Sequence, residues 1–321
     1  MYWTDTPGIG GEIKKYAEDF IVEEKRNNRV WTTRYNLIDR IKKKFVSGEG
    51  EHLHLTLIKK NRNTLDVVKE ICRQLNISEK KIGYAGLKDK RAITSQRLSI
   101  MAKAKDVKKI NIDNILLKDF TYQKRKIRIG QLQGNVFTIR IRDVKKDALK
   151  ILKEFKKYTK LPNLYGPQRF GGNEEIGKEI IRENMKKVAN ILNSDKRYKK
   201  ISLNPSKIMR IIPRKMIRLY KDAYQSHIFN KTLCEYGWNA PKYLPLCGYK
   251  VDLDEITEKF LKKDKISKIN LKKAKMKGTY RKCFFEPKWL MEKMKKNDLI
   301  IKFFLPKGSY ATVLLGELMK C

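Results

Sequence analysis

The chain has 321 residues, 41% of them hydrophobic, and its 75 Lys and Arg against 35 Asp and Glu leave a formal charge of +40. The apolar fraction excludes a wholly disordered chain, and a length beyond the usual limit of one core predicts two domains, or one with a large insertion. So large a positive excess points to a polyanionic partner, nucleic acid before an anionic membrane, although lysine-rich composition also accompanies heat adaptation.

The first residues, MYWTDTPGIGG, hold no apolar stretch long enough for a signal peptide, and no segment approaches a membrane span, so a cytoplasmic protein is expected. EDFIVEE (18–24) alternates and reads as a strand. The basic, aromatic-dotted stretch 29–45 reads as a short helix or an ordered loop. HLHLTLIKK (52–60) sets Leu53, Leu55 and Leu57 on one face and His52, His54 and Thr56 on the other, a half-buried strand. Asn63 or Thr64 can cap the helix that follows, with Leu65, Val68, Ile71, Cys72 and Leu75 at helical spacing. After GYAGLKDKRAITSQ (83–96) comes a strand, RLSIMA (97–102). Residues 124–144 read as two strands, the first with Lys124, Lys126 and Arg128 on one face, the second with Phe137, Ile139 and Ile141. LPNLYGPQRFGG (161–172) is a Pro/Gly turn cluster and a candidate boundary. Beyond it the pattern is helical and basic through 194–229, then a low-complexity basic run, 262–282. Residues 297–318 read as strand, Pro-Gly turn and helix.

Cys72, Cys234, Cys247, Cys283 and Cys321 are scattered, with no pairing typical of zinc sites or disulfide frameworks; buried thiols in a reducing compartment are expected, and no metal. GIGG (8–11) lacks the preceding strand and third glycine of a dinucleotide loop, and G-x-x-G-x-K at 83–88 is not a Walker A loop. His52 and His54 fit a polar strand face, and His227 stands alone. Asp89 is different. It lies between Lys88, Lys90 and Arg91, in a loop whose Gly83 and Gly86 would permit close approach of a ligand. A surface ion pair is the plainer explanation. Yet a polyanion would be repelled by this carboxylate, so binding alone gives no reason for it, whereas chemistry on a bound nucleotide does. The neighbouring cations supply contacts for phosphates.

The stretch resembles the central motif of the TruD family of tRNA pseudouridine synthases, A-G-x-K-D-[KR]-x-A-x-T-x-Q, matched by Ala85, Gly86, Lys88, Asp89, Lys90, Ala92, Thr94 and Gln96. Further landmarks stand in the family's order: E-D-F (18–20), G-E-G-E-H (48–52), KRKIRIGQLQGNVF (124–137), PNLYGPQRFG (162–171) and LPKGSYAT (305–312). The match is weak from 173 to 285. Tyr310 stands where many members have phenylalanine.

The resemblance implies an α+β fold, a pseudouridine-synthase core with a mixed, largely antiparallel sheet flanked by helices, plus an inserted, mainly helical domain. The expected core is 1–172 and 286–321, and the insert 173–285. It implies isomerisation of uridine to pseudouridine, at uridine 13 of tRNA, with no cofactor and by a chain acting as a monomer. Asp89 would be the catalytic aspartate, by attack on C1′ or by removal of a sugar proton. Phe20, Asn135 and Tyr310 match substrate-contacting positions, and Phe137 is either a pocket wall or core. Lys88, Lys90 and Arg91 are expected phosphate contacts, as are Lys124, Lys126 and Arg128 unless these form only a solvated strand face, and Gln168, Arg169 and Phe170 would brace the site or else only shape a turn. The alternative from another class is a non-catalytic RNA-binding or assembly protein descended from the same family.

Overall fold

The computed structural model describes residues 2–36, 39, 45–193 and 205–321. The chain separates into two compact units, one made of residues 2–159, 286–311 and 315–321, the other of 160–285 with 312–314.

In the first unit, a 3-10 turn at Ala17–Asp19 leads into β1 (Phe20–Arg26). The strand starts later than the alternation predicts because Asp19 turns inward, accepting from the Tyr16 N–H and from Arg142. Asn27 and Asn28, both left-handed (φ 50° and 58°), close a tight hairpin onto β2 (Arg29–Trp31). A strand therefore stands where a helix or loop was expected; residues 37, 38 and 40–44 of that stretch lie outside the described residues. Then come β3 (Ser47–Gly48), β4 (His52–Lys60) and α1 (Thr64–Leu75), whose first turn is capped by Asn63 Oδ1 accepting from Leu65. β5 (Ile82–Tyr84), β6 (Ile93–Ile100), β7 (Ile115–Gln123), β8 (Gly134–Ile141) and α2 (Ala148–Phe155) follow.

In the second unit β9 (Leu161–Pro162) and a 3-10 turn at Pro167–Arg169 precede α3 (Asn173–Ile181), α4 (Met185–Asn193), α5 (Pro205–Ile211) and the long α6 (Arg214–Tyr236). β10 (Tyr243–Leu246), α7 (Glu255–Lys263), α8 (Lys268–Lys273), β11 (Thr279–Lys282) and β12 (Phe284–Phe285) complete it. The basic run 262–282 is thus ordered, with Ser267 and Asn270 forming a capping box at the start of α8. β9 pairs with β12, so residues 160–172 join the segment that follows them rather than the one before. Gly177 of α3 sits so close to α6 that a Cβ would fall 2.0 Å from the Tyr220 carbonyl oxygen. Ile176, Ile180, Val188, Leu192, Ile208 and Tyr220 make one core here; Tyr224, Ile228, Leu261 and Leu271 belong to another.

The chain then returns to the first unit with β13 (Lys288–Lys295) and β14 (Asp298–Pro306), followed by α9 (Ala311–Met319), of which residues 312–314 group with the second unit. The sheet runs β13-β14-β8-β1-β6-β4-β7-β3, with β2 added to β1 and β5 to β6. Only β1/β6 and β3/β7 are parallel among its described pairs, the mixed and largely antiparallel sheet that the resemblance implies. Leu53, Leu55, Leu57, Leu98 and Ile100 pack with Val67, Val68 and Ile71 of α1, each such burial contributing about 1.5–3 kcal/mol. On the other half an aromatic row runs Phe20, Phe137, Phe303, Trp289, Phe155.

β4 is not half-buried but covered on both faces. Its polar face is closed by Arg97, which donates to Thr56 Oγ1 and to the Asp119 carbonyl and lies 4.0 Å from the Trp31 ring. Residues 124–128 form no strand. The loop is held instead by side chains, Ile127 donating to Ser99 Oγ and His54 Nε2 bonding the Arg125 carbonyl. Cys72, Cys247 and Cys283 are buried, whereas Cys234 and Cys321 are exposed, against expectation. No helix among the described residues is long and apolar enough to cross a membrane.

Candidate active site

The loop between β5 and β6 has no regular structure of its own, so its backbone groups must find partners elsewhere. They do so on four neighbouring elements. Gln96 of β6 donates to the Gly86 carbonyl (3.2 Å) and accepts from Thr64 Oγ1 of α1 (3.2 Å). Thr64 Oγ1 in turn accepts from the Lys88 N–H (3.2 Å). Lys59 of β4, with no exposed surface, donates to the carbonyls of Asp89 (2.6 Å) and Lys88 (3.4 Å). Burial pushes the Lys59 ammonium down to about 8, against the attraction of Asp89. Gly130 N–H closes the set on the Ala85 carbonyl (2.7 Å).

Lys88 points inward. Its side chain is 3% exposed and pairs at 3.0 Å with Glu24 of β1, which is 0% exposed. Its Nζ also donates to Asn135 Oδ1 of β8 at 2.8 Å. The expected phosphate contact at Lys88 is therefore corrected: its ammonium is engaged with a carboxylate inside the protein. Gly83 is likewise small because of the protein, not a ligand; a Cβ there would fall 2.3 Å from the Ile127 carbonyl oxygen.

Asp89 alone turns its carboxylate outward, where Lys14 Nζ donates to Oδ1 at 3.1 Å. The same ammonium lies 4.1 Å from the centre of the Phe20 ring, a cation–π contact. Lys14 adopts φ 61°, a left-handed conformation unusual for lysine. A cavity of about 610 Å³ opens beside this pair, lined among others by Lys14, Lys15, Lys60, Lys90 and Arg91. Lys60 is offset there by Glu18 at 2.5 Å.

The structure thus joins Asp89, Lys88, Asn135 and Phe20 through two lysines. Phe137 is core, stacked on Phe303 at 5.5 Å and edge-on to Phe20. Tyr310, half-buried, occupies the N-cap position of α9. Lys90 and Arg91 are exposed on the loop, as are Lys124 and Arg128 on theirs. Lys126 is half-buried and donates to the Lys80 carbonyl, so it is held by the chain. The bracing residues stand in the other unit. Arg169 donates to Ser226 Oγ (3.1 Å) and approaches Asp222 (3.7 Å), both on α6, and Phe170 meets His227 edge-on. The side chain of Gln168 lies outside the described residues.

Lys14, Glu24 and Lys59 were not picked out from sequence, and Thr64 only as a candidate helix cap. Two carried a signal. Lys59 continues the Leu53, Leu55, Leu57 alternation, and Glu24 continues that of Phe20 and Val22, so each is a charge on an apolar face. The conformation of Lys14 leaves no such mark.

The family model for tRNA pseudouridine synthase D (TruD) matches residues 1–200 and 238–318. The chain is 28% identical to the tRNA pseudouridine synthase D of Syntrophotalea carbinolica, over 98% of this chain and 97% of the relative. It is 30% identical to the "Probable tRNA pseudouridine synthase D" of Nanoarchaeum equitans, over 95% and 98%. A crystal structure of the Methanosarcina mazei TruD protein shares the fold, with a TM-score of 0.70 at 24% identity, covering 100% of this chain and 96% of that one.

Proposed function

The chain belongs to the tRNA pseudouridine synthase D family of isomerases, and from that premise we propose that it converts uridine 13 of tRNA to pseudouridine, with Asp89 as the catalytic carboxylate. The reaction breaks the N1–C1′ bond, turns the base and forms C5–C1′, losing a proton at C5 and gaining one at N1. Nothing is oxidised or hydrolysed, so the chemistry calls for no cofactor. It calls for a carboxylate at the sugar and for a pocket that retains a detached uracil. Attack on C1′ and removal of a sugar proton both require an unprotonated Asp89.

The observation that carries the reading is the division of labour in the 85–92 loop. Three of its polar anchors, Lys59, Thr64 and Gln96, hold backbone, Lys88 is consumed internally, and the loop's one carboxylate, Asp89, is left partly exposed on a lysine beside the exposed Lys90 and Arg91. Extruding a stacked uridine costs a few kcal/mol, which Lys90 and Arg91 can offset at the flanking phosphates. Asn135 has its Oδ1 occupied by Lys88, so its NH₂ serves a uracil carbonyl. Tyr310 supplies the stacking ring, a contact of about 1–3 kcal/mol per base. In this reading residues 2–159 and 286–321 carry the chemistry, and residues 160–285, which include the 160–172 segment first grouped with the core, select the RNA. The 161–172 turn then works from the α6 side, where Arg169 and Phe170 pack.

The test is to map pseudouridines in tRNA treated with the wild-type chain and with Asp89→Asn. A single pseudouridine at position 13 is expected, lost in the variant, whose tRNA affinity stays equal or tightens because a repulsive charge is gone. Near-wild-type turnover by Asp89→Asn overturns the assignment. Tight tRNA binding with no product in any RNA marks the protein as a non-catalytic RNA binder.

A further inference from the structure

We propose that the groove between α6 and the 275–279 loop is a seat for the phosphodiester backbone of the RNA, a deepening that rests on the reading of tRNA as substrate. The groove is about 660 Å³, and five cations line it: Arg214, Arg218 and Lys221 on α6, Lys275 and Lys277 on the loop. Asp222 is the one acid in the lining, and it is shared between Arg218 (3.9 Å) and Arg169 (3.7 Å). Arg214 and Arg218 are one turn apart on α6, about 6 Å along the axis, and Lys221 stands a further turn on. A row of this kind tracks successive phosphates of one strand.

The opposite wall is rigid. Gly248 and Gly278 touch, a Cβ on Gly248 falling 2.2 Å from the Gly278 nitrogen. Tyr249 and Lys250 donate to the carbonyls of Met276 and Lys277, and Met276 is buried. Lys221 is fixed on the Ala274 carbonyl at 2.7 Å. Cations already held in place lose little freedom on binding, which is where charged side chains usually forfeit affinity.

The full-length variant Arg214→Glu/Arg218→Glu/Lys277→Glu tests this against Lys186→Glu/Lys263→Glu/Lys268→Glu, an equal charge change at exposed sites outside the groove. The groove variant should lose about tenfold or more in tRNA affinity, with a salt slope shallower by about 0.7–0.9 per lost phosphate contact, while melting as the wild type does. The control variant should lose far less. Equal losses in the two variants overturn the groove, and a wild-type chain that does not bind tRNA overturns the substrate reading beneath it.

A second, independent observation is the buried Lys59, and we infer that it is a positioning residue for Asp89, holding the turn that presents the carboxylate. Its ammonium meets the Asp89 carbonyl at 2.6 Å with no exposed surface. The charged groups facing it are Asp89 and Lys88. Its partner position across β6 is Thr94, and Thr64 and Gln96, which hold the same loop, do not titrate. Since burial brings this lysine down to about 8, kcat on tRNA should fall along an alkaline limb centred near that pH. Lys59→Arg keeps the charge and should move the limb upward, while Lys59→Met should lower kcat at every pH with KM little changed. A wild-type profile flat from pH 7 to 9, or an arginine variant with the limb unmoved, overturns the role. Neither outcome touches Asp89 itself, which stands or falls on the asparagine variant.

Discussion

Lysines do opposite work in the two units. In the sheet-bearing unit Lys59 and Lys88 are interior groups, satisfied by two carbonyls in one case and by Glu24 and Asn135 in the other. In the helical unit Lys275 and Lys277 stand exposed around a groove, and a fully buried carboxylate of that unit, Glu179, is met by the partly exposed Arg182 (3.1 Å) and Lys187 (3.2 Å) rather than by an interior lysine. A formal charge of +40 therefore overstates the cations available to a polyanion. A lysine's meaning lies in its partners, and the two units should respond differently when one is removed.

The sharpest break in that contrast is Lys88→Met. It leaves the fully buried Glu24 carboxylate with the backbone N–H of Arg97 (3.3 Å) but without its lysine, and the loss should be about 3–5 kcal/mol in urea unfolding. Replacing Glu24 with leucine in the same chain should recover much of it. The exposed pair Lys259–Glu235 (3.7 Å) is the matching control, with Lys259→Met expected to cost less than about 1 kcal/mol. The helical unit has a steric weak point as well. Gly177→Ala forces a Cβ against the Tyr220 carbonyl, and about 1–3 kcal/mol should be lost to overpacking, read as a lower melting temperature. The smallest effect is acid sensitivity. Burial, joined by the nearby cations Arg97 and Arg26, holds His54 down to about 4 from 6.5. The fold keeps the ring neutral while the unfolded chain takes up a proton, so its share of stability is full above pH 6.5 and is lost as the pH falls toward 4. His54→Gln should flatten the melting temperature over that window, and an unchanged slope would exclude His54 as its source.

How much of this could be read beforehand depends on whether a residue's partners are near in sequence. β4, α1, β14 and α9 are local patterns, and alternation or helical spacing finds them. β13 escaped notice because KWLMEKMK is an edge strand, largely exposed and heavily charged, as edges are where pairing with other chains must be discouraged. Residues 124–128 misled in the other direction. Lysine and arginine alternate there with isoleucine as on a strand, but the loop is held by Ser99 and His54, which no local pattern announces. Around Asp89 the motif itself was plain, whereas Lys14 lies 75 residues away and is brought in by the fold.

The arrangement of β14 has a consequence for how the protein is made. β8 needs β14 as its neighbour, yet the helical unit is translated between them. Until the last strand leaves the ribosome, β8 presents an unpaired edge for on the order of ten seconds, at about 5–20 residues per second. Phe137 waits through the same interval for Phe303. The N-terminal segment waits longer still, since Ile9 and Gly10 donate to the carbonyls of Leu318 and Met319. A chain stalled before residue 298 would carry a complete Asp89 loop on an open sheet. Such a chain would hold its loop in place yet keep an edge that invites pairing with other chains.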